Sequence, residues 1–121
     1  MADGTGGGGS AAPPDILWSY PGQVGTDQDS NMYSYKARKV TAFVAFDVNA
    51  RVAPSGSAVI IDWFVNNVVV PGARMTLAIG ATYVEVLFAQ TLQINDEIRP
   101  VIFQIGSATP GQTMIIRARG S

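Results

Sequence analysis

The stretch from Val40 to Ala50 restricts the fold more than any other part of the chain. Val40, Ala42, Val44, Phe46, Val48 and Ala50 share one parity, while Thr41, Asp47 and Asn49 fall on the other. Side chains of a β-strand alternate between two faces, so this period of two describes a long strand with one face toward a core. Phe43 and Ala45 interrupt the polar parity, so the second face is expected to be partly covered. After the turn signal Pro54-Ser55-Gly56, a second strand sets Val59, Ile61, Trp63 and Val65 against Ile60, Asp62, Phe64 and Asn66. Asn66-Asn67 reads as a hairpin tip, because asparagine tolerates positive φ better than most residues.

The same punctuation continues to the end of the chain. Ile16 to Tyr20 reads as a first strand, followed by a polar loop from Pro21-Gly22 to Asn31. Pro71-Gly72 turns the chain into a short extended segment, Met75 to Ile79, and Gly80 ends it. Val84, Val86, Phe88, Leu92 and Ile94 alternate in phase, with Gln90 as the exception, and Asn95-Asp96 turns the chain again. From Ile98 to Ile105 both parities are apolar, which a bulge would reconcile; Pro100, lacking an N–H, assigns that strand to an edge or an unpaired position. Met114, Ile116 and Ala118 alternate with Ile115, Arg117 and Arg119 in the last strand. No helical window is evident.

About seven to eight strands with one apolar face each imply an antiparallel β-sandwich or jelly roll. The expected core is Val40, Val44, Phe46, Val48, Val59, Ile61, Trp63, Val84, Val86 and Phe88. A chain of 121 residues holds one such domain, expected over 16–121. Residues 1–15, MADGTGGGGSAAPPD, read as a flexible arm, natural or an engineered spacer, since four consecutive glycines have nothing to bury.

Several chemistries are excluded by composition. Histidine and cysteine are both absent, which removes disulfides, ordinary zinc sites and every nucleophile activated by imidazole or thiolate. No glycine run leads into a Lys-Ser/Thr pair, so no phosphate-binding loop is expected. A net charge of −1 gives no positive excess for nucleic acid, and no apolar run approaches membrane-helix length. No basic-then-apolar leader opens the chain, whose start carries Asp3 and glycines. Asp47, Asp62 and Glu85 offer the two carboxylates a glycosidase needs, but on the outer faces of strands they read as surface charges. Asp27, Asp29 and Asn31 carry oxygen ligands suited to calcium but lack the EF-hand pattern. The expectation is therefore a non-enzyme without cofactor or metal.

Charged residues make up only 14% of the chain, against roughly 25% in an average domain, which suits a surface hidden in an assembly. Asp3 and Asp15 are candidates to meet basic groups on a neighbouring subunit. Trp18, Tyr20, Tyr33 and Tyr35 are candidates for an arm or interface contact, and Phe64 for covering a second interface. Aromatic rings of this kind also serve as stacking platforms for a glycan, and a carbohydrate-binding or host-adhesion module is the alternative.

Lys39-Val40-Thr41, Ala53-Pro54-Ser55-Gly56 and Val59-Ile60-Ile61-Asp62-Trp63, with Gln104-Ile105-Gly106-Ser107-Ala108-Thr109-Pro110-Gly111 and Met114-Ile115-Ile116-Arg117, carry a further signal. Over roughly residues 36–119 this order resembles β-sandwich modules of tailed-bacteriophage structural proteins. Arg99-Pro100-Val101-Ile102-Phe103 departs from it where those modules carry an aspartate-rich strand. The resemblance implies a virion protein, a capsid decoration or a tail- or fibre-associated module for virus assembly. It also implies a homo-oligomer, commonly a homotrimer, with other capsid or tail proteins or a host glycan as partners.

Overall fold

The computed structural model describes residues 15–26 and 34–120. Nine strands run in chain order: β1 (Ile16–Gln23), β2 (Tyr35–Lys36), β3 (Thr41–Val52), β4 (Val59–Val65), β5 (Val68–Val69), β6 (Met75–Leu77), β7 (Tyr83–Leu92), β8 (Glu97–Gln104) and β9 (Gln112–Gly120). They form a four-stranded sheet of order β1-β9-β3-β7 and a five-stranded sheet of order β2-β8-β4-β5, with β6 also on β4. All pairings are antiparallel. The fold is all-β, and the inner faces of the two sheets pack together as a sandwich.

Aromatic rings cross the space between the sheets. Trp63 of β4 is fully buried and stacks on Phe46 of β3 with centroids 4.4 Å apart, while Trp18 of β1 meets it edge-on at 5.3 Å. Val48, Ala50, Val59, Ile61, Met75, Leu77, Ile98, Ile102, Met114, Ile116 and Ala118 complete the centre. Val84, Val86 and Phe88 pack half-buried against it from β7, which among the described residues has a strand neighbour in its sheet on one side only.

Two residues expected in the core lie outside it. Val40 is 55% exposed and Val44 42% exposed. The register of β3 shifts between Phe43 and Ala45 in its ladders with both β7 and β9. Such an irregularity moves every residue beyond it to the opposite parity. Thr41 and Phe43 are therefore inward before the shift, and Phe46, Val48 and Ala50 after it. Ile94, placed in phase with β7 by sequence, is likewise exposed, because it follows the end of that strand.

In β8 the inward residues are Ile98, Pro100 and Ile102. An irregularity at Ile60/Ile61 breaks its ladder with β4 near Gln104, which reconciles the two apolar parities. β2 covers β8 only at Glu97 and Ile98, so Pro100 lies in the stretch that has a strand on one flank alone among the described residues. The Asn66-Asn67 hairpin tip adopts φ of 52° and 66°, as the sequence predicts. The turn at Pro54–Gly56 and the loop at Gly106–Gly111 meet through Ser55 N to Thr109 O, 3.0 Å, and Ala108 N to Ser55 O, 3.0 Å. Gly106 is required there: a Cβ would strike the carbonyl oxygens of Thr109 and Ser55.

A polar clasp ties two turns at one end of the five-stranded sheet. Asn66 Nδ2 donates to Asp96 Oδ1 at 2.9 Å, Gln93 N donates to Asp96 Oδ2 at 2.8 Å, and Glu97 N donates to Asn66 Oδ1 at 3.0 Å. The Asn66 hydrogen bond, then that from Gln93, holds the Asp96 carboxyl below its ordinary value of 3.8. A depressed folded pKa adds stability above the unfolded value and loses it as pH falls through the folded one. Wild-type protein should thus lose stability below about pH 3.8, and Asp96→Asn should flatten that acid limb. Urea unfolding from pH 6 to pH 2 checks this; identical limbs for both forms would reject it.

Candidate functional site

The outer face of the four-stranded sheet gathers the most chemistry. Its rows follow from register: Leu17, Arg117, Asp47 and Glu85 lie side by side across β1, β9, β3 and β7, and Ser19, Ile115, Asn49 and Tyr83 form the next row. Leu17, Asp47, Asn49, Arg51, Tyr83, Thr113, Ile115 and Arg117 line a concavity of about 530 Å³, within the usual span of ligand sites.

Asp47 organises one end of it. Only 2% exposed, it accepts from Arg117 Nη2 at 2.7 Å, from Arg117 Nε at 3.1 and 3.2 Å, and from Tyr83 Oη at 3.3 Å. Hydrogen bonding to Asp47 raises the Arg117 pKa further above its ordinary value, against the opposing effect of burial, and attraction to Asp47 and Asp15 adds to it. Arg117 is therefore a permanent cation held in place. Glu85 is paired with Arg119.

The other end is differently made. The Arg51 side chain is exposed and has no hydrogen bond or ion pair among the described residues. Beside it Thr113 holds φ at 52°. A β-branched residue is a true outlier there, at a cost of about 1–3 kcal/mol, and such strain concentrates at functional sites. Between the two ends stand the exposed Asn49 amide, the Tyr83 ring and the aliphatic Ile115, with Leu17 beside Arg117 in the Asp47 row.

The residues singled out from sequence are distributed elsewhere. Trp18 and Tyr20 are buried in the core, where alternation along β1 turns them inward and Leu17 and Ser19 outward. Tyr35 packs half-buried against the core. Phe64 is half-buried on the outer face of the other sheet, with the Arg99 guanidinium 5.3 Å from its ring centroid. Asp15 accepts from Gly120 N at 3.1 Å and stands 3.8 Å from Arg117, so it is engaged by its own domain. Asp3, Tyr33, the arm over 1–14 and the Asp27, Asp29 and Asn31 set lie outside the described residues.

Asp47 and Asp62 do not form a pair. β3 and β4 belong to different sheets, so the two carboxylates occupy opposite outer faces with the core between them. Asp62 is held by Arg74 through bonds of 2.8 and 2.9 Å, and Arg74 also lies 5.1 Å from the Phe103 ring centroid. Among the described residues no group of three or more His, Cys, Asp or Glu side chains is placed to hold a metal ion, and no helix is long and apolar enough to cross a membrane.

Sequence reasoning missed Arg51, Tyr83, Thr113 and Leu17 as site residues. Their available signal was outward parity on strands whose other parity is apolar, but parity does not tell which strands lie side by side.

Compared with known proteins, the chain matches no family model, no curated protein and no solved structure. The bacteriophage resemblance is corrected accordingly. Without a matching relative, the virion, capsid-decoration, tail, virus-assembly and homotrimer assignments have nothing to rest on, and the sandwich architecture alone is retained.

Proposed function

We propose that the chain is a non-catalytic carbohydrate-binding module whose sugar site is the concavity on the outer face of the four-stranded sheet. The lining of that concavity carries the reading. Sugars present an apolar C–H face and a rim of hydroxyls, and the lining sets the Tyr83 ring, Ile115 and Leu17 beside the Asp47, Asn49, Arg51 and Thr113 polar groups. Few convergent polar groups among apolar side chains are what orient a small ligand. Non-catalysis is supported by the engagement of Asp47 and Glu85 with arginines, which leaves neither carboxylate free to shuttle a proton.

Titration of isotopically labelled protein with a panel of oligosaccharides tests the reading. Amide signals of Asn49, Tyr83, Thr113 and Ile115 should shift with at least one sugar, and Tyr83→Ala should weaken that binding about tenfold. No shift with any sugar would reject the reading.

A second reading, self-association through the same face, is favoured by its exposed aliphatic side chains. Leu87 is 79% and Leu17 59% exposed, and the neighbouring charges are already paired within the chain. Solution mass decides it: a concentration-independent monomer would reject a second copy as partner, and Leu87→Arg should dissociate any oligomer formed this way.

A further inference from the structure

We infer that the sugar taken by this site is acidic, an oligosaccharide carrying a carboxylate of the uronic acid kind, with Arg51 as the group that receives it. The inference rests on the proposed sugar site and names the class of sugar.

The charge of the lining points to it. Among the lining residues two arginines, Arg51 and Arg117, face a single aspartate, Asp47, and with Asp15 also 3.8 Å from Arg117 the unbalanced positive charge lies at Arg51. Arg117 is committed: all the bonds described for Asp47, apart from that of Tyr83, come from its guanidinium. Arg51 has no such commitment. An arginine fork matches a planar carboxylate with two parallel N–H donors, and such charge-assisted pairs are roughly twice as strong as neutral ones.

Position fixes the orientation of the ligand. Asp47 and Arg51 lie four residues apart on β3, about 13 Å at the rise of a strand. That span exceeds one sugar ring, so the ligand is an oligosaccharide, with its carboxylate at the Arg51 end. At the Asp47 end the Arg117 guanidinium is already taken up by Asp47, so no uncommitted cation is left there for a second carboxylate. Neutral rings therefore lie over Asn49, Tyr83 and Ile115, where hydroxyls can reach the Asn49 amide. The strained backbone of Thr113 borders Arg51 on the adjacent strand, which gives that end of the site a second, independent mark of function.

The test compares matched oligosaccharides, one containing a uronic acid, one its neutral carboxyl-reduced counterpart and one sulfated, by calorimetric titration at low and high salt. The uronic acid form should bind at least tenfold more tightly than the neutral form, and 1 M salt should erase most of that preference. Arg51→Gln should bring the ratio close to one, whereas Arg99→Gln, on the opposite sheet, should keep it. Circular dichroism verifies that both variants are folded. Equal affinity for acidic and neutral sugars would overturn the inference and leave the sugar site standing. Preference for the sulfated form would overturn the carboxylate assignment. Binding of none of the three, while another sugar of the panel shifts the site's amide signals, would also overturn it; silence across the whole panel would remove the site together with the inference.

Discussion

Trp63→Ala lowers the free energy of unfolding by about 3–5 kcal/mol, the range for deleting a large aromatic from a packed core. Trp63 is the residue where both sheets meet: its ring stacks on Phe46 of the four-stranded sheet and takes the edge of Trp18. Deletion opens a void between layers that a rigid sandwich closes only in part. Its Nε1 is buried with no hydrogen-bond partner among the described residues. Trp63→Phe removes that polar atom while keeping an aromatic ring, so it should cost clearly less than Trp63→Ala. Urea unfolding followed by circular dichroism measures both. A Trp63→Ala variant within 1 kcal/mol of wild type would mean that this ring does not join the sheets.

Arg117→Ala should destabilise by about 2–4 kcal/mol, because it strands a buried carboxylate. Asp47 then keeps only the Tyr83 hydroxyl. The Arg117 side chain is 36% exposed and partly screened, so the loss is smaller than for a fully buried pair. The double variant Asp47→Ala/Arg117→Ala should recover part of the loss, since neither charge remains to be desolvated. A full double-mutant cycle reads the coupling directly, and additive effects would show that the pair does not hold the face. The same cycle bears on function: the Asp47–Arg117 pair forms one wall of the concavity, so breaking it should also impair sugar binding.

Alternation in β4 and β9 was legible without any structure. Val59, Ile61 and Trp63 are inward as their parity requires, and so are Met114, Ile116 and Ala118. The turns were equally legible, because Asn66, Asn67, Asn95 and Gly56 supply the positive φ that their types demand. In β3 the pattern misled at its first half. Val40 and Val44 share parity with Phe46, and nothing in the residue types marks the shift at Phe43 to Ala45.

The amino-acid order by itself determined the class of fold, the turn positions, the inward faces of most strands and the absence of imidazole and thiol chemistry. Each of these is a local property, carried by a period of two or by the presence or absence of a side chain. The tertiary structure alone decided which strands became neighbours. Pairing of β3 with β9 carries Arg117 to Asp47 across seventy positions of chain, and pairing of β3 with β7 sets Tyr83 beside Asn49. The separation of β3 and β4 into different sheets parts Asp47 from Asp62. Those choices follow from burying two apolar faces against each other, a requirement that every inward residue shares and that no single strand records. The site is a by-product of that packing on the opposite face, where the sequence marks which residues point outward but not beside which others they stand.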